Sequence, residues 1–178
     1  TGCGICGRES LEQFSTPSTD IKFEGCFRNK AIQNAISILS EFQDLINKTG
    51  SVHGAAWCDE KGNIIYIRED VGRHNAVDKV AGWMFENDHF GGDKILYTTG
   101  RLTSEMVIKT ALMEIPILVS RSGFTAWGVE LANDLGMTLI GRLRGKRFIC
   151  LSGSERLIWN IENSDPESID EANKSGKK

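Results

Sequence analysis

The chain has 178 residues, 40% of them hydrophobic and 25% charged, with a formal net charge of -3. This composition suits one globular domain with flanking tails and excludes a general nucleic-acid binder, whose footprint is a strongly basic face. No apolar run reaches the roughly 18 residues that span a bilayer, and five scattered cysteines, an odd number, read as reduced thiols of a cytoplasmic protein, not as a secreted disulfide framework.

The first stretch, "TGCGICGRES", places Cys3 and Cys6 among three glycines. Glycine costs backbone entropy on ordering and has no side chain to pack, so the segment serves chemistry more than stability. Residues 1–19 are expected to form a mobile cysteine-bearing arm. Because the chain opens at Thr1 directly on a motif, an N-terminal portion is expected to precede it. A C-x-x-C pair can be half a zinc site, a redox dithiol or a persulfide-carrying thiol, and spacing alone leaves all three open. Arg8 nearby favours a nucleophilic thiolate.

From Phe27 to Lys48, apolar residues at Ile32, Ala35, Ile36, Leu39, Phe42 and Ile46 line one face of a helix, with Gly50 as its stop. Two strands, "VHGAAWC" and "NIIYIRE", then pair across the turn "DEKGN". A second helix is expected near Asn75, where "NAVD" resembles a capping sequence, with Val77, Val80, Ala81, Met84 and Phe85 continuing its apolar stripe. After it come strand "KILYTTG", helix 103–114, strand "IPILVS", helix 125–135, strand "MTLIGRL" and strand "RFICLSG". Short apolar strands alternating with helices indicate a sheet buried on both faces. The expected fold is α/β, a three-layer α/β/α domain with a mixed sheet over residues 20–162, followed by a disordered tail, 163–178.

Three turns carry candidate binding chemistry. "REDVGRHNAVDK" puts Gly72, Arg73 and His74 between a strand and a helix, where ligands meet strand ends and helix N-termini present free N–H groups to anions. The bland alternative is a solvated turn in which Asp70 pairs with Arg73. "YTTGRLTSEMVIK" repeats the arrangement with Gly100, Arg101 and Thr103, so the two turns read as two walls of one anion site. "GRLRGKRF" crowds Arg142, Arg144, Lys146 and Arg147 around Gly145, a local basic cluster suited to phosphate in an otherwise acidic protein. His53 either lines the same cavity or is a hydrogen-bonded core histidine. Cys26, Cys58 and Cys150 read as small buried hydrophobes, and His89 carries no functional case.

Together, "CGICG", "VHGAAW", "EDVGRHNAVDK", "TGRLTSEMVIK" and "TLIGRLRGKR" occur in the order seen in the FdhD family, and the chain resembles these formate dehydrogenase accessory sulfurtransferases from Thr1 to about Leu157. The resemblance implies a sulfur carrier. A cysteine desulfurase would load sulfur on Cys3 as a persulfide, with Cys6 assisting or resolving. The sulfur would pass to the molybdenum of a bis(molybdopterin guanine dinucleotide) cofactor, the bound substrate, before its insertion into formate dehydrogenase. The segment Leu143, Arg144, Gly145, Lys146, Arg147 and Phe148 matches the family's cofactor-binding stretch, with Arg73, His74, Arg101 and His53 as further contacts and GDP as a mimic. A homodimer is expected, with no nucleic acid, membrane or resident metal. The other reading is a guanine-nucleotide or cofactor-binding chaperone whose cysteines are incidental, and a zinc-binding module is a third.

The family's fold resembles that of cytidine deaminases. A zinc deaminase needs H-x-E and P-C-x-x-C at the starts of the two helices, and here those places hold "HNA" and "GRLTSE". Deamination is not expected. Two departures from the family pattern are Thr99, where serine is commoner, and the arrangement of Arg144 and Lys146 about Gly145.

Overall fold

A computed structural model describes residues 21, 23–34, 51–145 and 147–159. The strands are β1 (Phe27–Arg28), β2 (His53–Cys58), β3 (Ile64–Asp70), β4 (Ile95–Thr98), β5 (Ile117–Ser120), β6 (Thr138–Arg144), β7 (Arg147–Ser152) and β8 (Leu157–Ile158). The helices are α1 (Arg73–Glu86), α2 (Ser104–Leu112) and α3 (Ala126–Asp134), and residues 29–34 are also helical. Six strands form one mixed sheet in the order β3-β2-β4-β5-β6-β7, while β1 and β8 pair separately and in parallel. β2 runs antiparallel to β3 and β4; β4, β5 and β6 are mutually parallel; β7 returns antiparallel to β6.

Alternation along each central strand divides the core in two. Ala55, Trp57, Leu96, Leu118 and Leu139 face α1, α2 and α3. Ala56, Cys58, Ile95, Tyr97, Ile117, Val119 and Ile140 face Phe27, Ala31, Ile32 and Leu157. β4 and β5 are buried at every residue, as expected for parallel strands covered on both sides. Fully burying each of the leucines contributes about 1.5–3 kcal/mol, so these short strands are anchored by both layers.

The expected α/β class and mixed sheet are therefore observed, with several corrections. The chain at Phe27–Arg28 is strand, not helix, because it pairs with Leu157–Ile158; the expected helix is described only over 29–34 and its remainder lies outside the described residues. α1 starts at Arg73 with Gly72 at its N-cap, two residues before the expected start. Asn75 does not cap it, because it lies inside the first turn, where its side-chain amide donates to Asp70 Oδ1 at 3.2 Å. Phe85 leaves the apolar stripe and is 87% exposed, since the α1 surface buried on the sheet is Ala76, Val77, Val80 and Met84. Cys26 is exposed, and only Cys58 among the described cysteines is fully buried.

No helix among the described residues is long and apolar enough to cross a membrane. The expected arm at 1–19 and tail at 163–178 lie outside the described residues.

Candidate functional site

Parallel strands that end together bring their following turns together. β4 ends at Thr98 and leads to Thr99, Gly100 and Arg101; β5 ends at Ser120 and leads to Arg121 and Ser122. β3 points the same way and delivers the Asp70–His74 turn, while antiparallel β2 begins at this edge with His53, whose register partner is Asp70. α1 and α2 both start here, and neither Gly72 nor Thr103 makes a side-chain capping bond. Two helix N-termini thus lie at one edge, that of α1 with no acidic residue in its first turn and that of α2 with Glu105 in its first turn. By contrast, α3 is capped by the Thr125 side chain, which accepts from the Gly128 N–H.

The first turn is fixed by Asp70. Its carboxylate accepts from the Gly72 N–H at 2.9 Å and from Asn75, and pairs with Lys79 at 2.6 Å. Lys79, and after it the Gly72 N–H, hold the carboxyl group down to about 2. The partner of Asp70 is therefore Lys79, not Arg73, and the guanidinium of Arg73 is released for other work. Gly72 itself has φ of -96°, a conformation open to any residue, so its left-handed freedom is not what the turn uses. Gly100 matters through close approach: a Cβ there would lie 2.7 Å from Arg73 Cβ. The two Gly-Arg turns are thereby in direct contact.

Inside this corner the Thr99 hydroxyl oxygen accepts from the Gly54 N–H at 2.9 Å and lies 3.3 Å from His53 Nδ1. Burial, then the charges of Arg73 and Arg121, push the His53 pKa below its ordinary value. His74 is likewise lowered by burial, then by Arg73 and Lys109, against weaker opposition from Glu105 and Asp78. For both imidazoles burial comes first and the surrounding cations add to it in disfavouring the charged form. Arg73 Nε and His74 Nε2 are buried atoms with no hydrogen-bond partner. A buried polar atom left without a partner is costly, a cost that an anion reaching these atoms would offset.

The basic hairpin overhangs the same edge. β5 pairs with β6 only as far as Val119↔Ile140, so β6 runs beyond it, carrying Arg142 and Arg144. A bulge interrupts the β6–β7 register between Gly141 and Arg144, and Arg142 sits in the left-handed region at φ 53°, a conformation uncommon for a residue with a side chain. Its N–H donates to Ser122 O at 3.0 Å and its guanidinium lies 5.8 Å from the Phe124 ring centre. Gly145, at φ 58°, makes the hairpin turn that needs a residue without Cβ. Arg144 and Arg147 are register partners, an unfavourable like-charge pairing that an anion between them would relieve. Together with Arg142, Phe148 and Ile149 they line an open pocket of about 580 Å³. Phe148 is half-buried and stacks on Trp159. Leu143 is 1% exposed and belongs to the core, so only its backbone is available to a ligand. Lys146 and the pair Cys3 and Cys6 lie outside the described residues.

Among the described residues, Arg73, Arg101, Arg121, Arg142, Arg144 and Arg147 make no ion pair, whereas Lys79, Lys94, Lys109 and Arg156 all do. These six arginines lie along the carboxyl edge of the sheet, whereas Arg28 on β1 and Arg68 within β3, also without an ion pair among the described residues, do not. Arg121 escaped the sequence reading, and Thr99 was noted there only as a departure from the family pattern, not as the hydroxyl that touches His53. "SRSGFT" carries the same hydroxyl-then-arginine step out of a strand as "TTGRLT", and that recurrence was the available signal. No group of three or more His, Cys, Asp or Glu side chains among the described residues is arranged to hold a metal. Cys58 is no nucleophile: burial, with Asp59 adding, pushes its thiol to about 12.

The fold and site define an α/β domain with a mixed sheet and a cationic edge at the carboxyl ends of its parallel strands. The chain belongs to the FdhD/NarQ family, which it matches over residues 1–158. It is similar to proteins named sulfur carrier protein FdhD. That of Cupriavidus necator is 38% identical over 88% of this chain and 54% of its own length; that of Agrobacterium fabrum is 37% identical over 88% and 58%. A crystal structure from Desulfotalea psychrophila, described as a formate dehydrogenase accessory protein, superposes with a TM-score of 0.70 at 35% identity, over 80% of this chain and 63% of that one. The chain thus spans little more than half the length of the curated relatives it matches.

Proposed function

We propose that this chain carries sulfur to a molybdenum cofactor that it binds at the cationic edge. The relatives' names support the sulfur-carrying part, and the accessory-protein description of the similar structure supports a place upstream of formate dehydrogenase. The observation that carries the reading is the set of unpaired arginines converging on uncapped helix starts, with Arg73 Nε and His74 Nε2 buried and unpartnered.

In this reading the substrate is a bis(molybdopterin guanine dinucleotide) cofactor. Arg73, His74, Arg101 and His53 hold phosphate oxygens on one wall, and Arg144, Gly145, Lys146, Arg147, Phe148 and the Leu143 backbone hold a guanine nucleotide end on the other. GDP mimics that end. A cysteine desulfurase loads the carrier: the Cys3 thiolate attacks the outer sulfur of the desulfurase persulfide, forming Cys3–S–S⁻ while the desulfurase thiol leaves. Release of the outer sulfur as sulfide needs two electrons, which the Cys6 thiol supplies by forming a Cys3–Cys6 disulfide. The product cofactor then goes to formate dehydrogenase. We place the protein in the cytoplasm, where free thiols persist, and expect it to act as a homodimer. A deaminase-like origin of the fold is compatible with two helices starting side by side, but Ala76 stands where the deaminase base would be, so no deamination is proposed.

The sulfur step is tested by incubating the protein with a cysteine desulfurase and cysteine. Mass spectrometry should find a reductant-labile sulfur on Cys3, and Cys3→Ala should abolish both it and the activation of formate dehydrogenase. Uptake of the same sulfur by Cys3→Ala overturns the assignment. A second reading, a nucleotide- or cofactor-binding chaperone without sulfur transfer, draws on the arginine and histidine side chains gathered at this edge, where no cysteine lies among the described residues. Undiminished activation by Cys3→Ala together with intact GDP binding would favour it.

A further inference from the structure

The turn after β5 lies, by strand order, between the Arg73–Gly100–Arg101 corner and the Arg142–Arg147 hairpin. It is tied to both. Ser120 Oγ donates to Gly100 O at 2.6 Å and accepts from the Ser122 N–H at 2.9 Å, while Ser122 O accepts from the Arg142 N–H at 3.0 Å. These bonds hold the 120–122 turn rigidly and leave the Arg121 side chain exposed, without an ion pair among the described residues. The neighbours that its charge reaches are His53 on β2 and Tyr97 on β4. Adjacent strands lie about 4.8 Å apart, so β4 and β6 deliver their cationic turns about 10 Å from each other, with Arg121 in the gap.

We infer that Arg121 and the Ser120–Ser122 turn form a separate anion subsite that takes the bridging diphosphate of an extended ligand, joining the two cationic walls into one binding groove. The inference rests on the proposed binding of a nucleotide-bearing cofactor at this edge and adds to it a residue and a ligand class. A single phosphate could be held by either wall alone. A diphosphate between two larger end groups needs a cation midway, with a fork able to bridge two oxygens, which is arginine's geometry. Rigid backing by the serine ladder lets the guanidinium bind without first ordering the turn.

The test uses inorganic pyrophosphate and GDP as probes, with calorimetry for affinity and NMR of the imidazole protons for location; the chain has three histidines, so His53 is readily assigned. Pyrophosphate should shift the His53 resonance, and Arg121→Ala should weaken pyrophosphate and GDP at least tenfold, with Arg121→Lys recovering part of the loss. Because Arg121 is exposed, Arg121→Ala should leave the unfolding midpoint unchanged, so weaker binding reports on the subsite. Guanosine, lacking phosphate, should not distinguish the variants. Pyrophosphate binding within twofold of the parent in Arg121→Ala overturns the inference. If GDP fails to bind while pyrophosphate binds in an Arg121-dependent way, the nucleotide reading fails and the subsite stands.

Discussion

The Thr99 hydroxyl oxygen joins two strands and a histidine: it accepts from the Gly54 N–H at 2.9 Å and lies 3.3 Å from His53 Nδ1. The hydroxyl can give its own hydrogen to His53 Nδ1 or accept from it on its second lone pair, according to the tautomer of the ring. Thr99→Ser should preserve this geometry. Thr99→Val should leave the buried Gly54 amide unsatisfied and cost about 1–3 kcal/mol, read by urea unfolding. The ¹⁵N shifts of His53 should change in Thr99→Val and stay unchanged in Thr99→Ser.

Stability should fall on acidification below about pH 6.5. His53 and His74 have folded pKa values lowered from 6.5, so between the folded and unfolded values the unfolded chain binds more protons, and unfolding is favoured as pH drops. Asp70, held to about 2, adds a second loss at pH below its unfolded value of 3.8. Urea midpoints measured across this range should decline in the parent and decline less between about pH 7 and 5 in the double variant His53→Gln, His74→Gln.

Gly100→Ala should disturb the corner between the two turns. The new Cβ would meet Arg73 Cβ at 2.7 Å and Arg73 Cδ at 3.0 Å, and a Cβ cannot swing aside as a side-chain tip can, so the start of α1 must shift. We expect a loss of about 1–3 kcal/mol, the usual range for overpacking, with GDP affinity falling more than in an exposed control such as Gly92→Ala, where a Cβ meets nothing within 4 Å.

Arg144→Ala should lower GDP affinity yet leave the fold intact or slightly firmer, because it removes a like charge opposite Arg147. Calorimetry and a thermal melt on the same sample check both halves. The salt dependence of GDP binding should also become shallower in this variant, as fewer exposed charges contribute.

Native alkylation should discriminate among the cysteines. Cys58, fully buried with its thiol raised to about 12, should resist iodoacetamide near neutral pH and react only in denaturant. Peptide mapping would show the outcome directly. Early labelling of Cys58 would mean that the β2–β4 core opens in the native state.

Much of the fold was legible from periodicity. The apolar strands "KILYTTG" and "IPILVS", and the helices that follow Thr103 and Thr125, were readable because a doubly covered sheet requires continuous burial and the spacing of helix contacts is fixed. Phe85 was misread because helical spacing marks which residues share a face and not how far the neighbouring layer extends. Asn75 was misplaced because the helix starts two residues earlier, which puts its side chain inside the first turn, where its amide donates to Asp70. Arg73 and Arg101 were visible as Gly-Arg turns, whereas Arg121 was hidden until strand order put its turn between theirs.

What the chain alone determined is the inventory: a C-x-x-C beside glycines, hydroxyl-and-arginine turns after strands, and a basic hairpin, since local chemistry and period are properties of neighbouring residues. Tertiary structure decided which of these meet. Parallel β4, β5 and β6 deliver their turns to one edge, Lys79 takes Asp70 and releases Arg73, and Gly100 admits the Arg73 stem. Such pairings depend on strand order and on competition between distant partners, quantities that no local window of sequence contains.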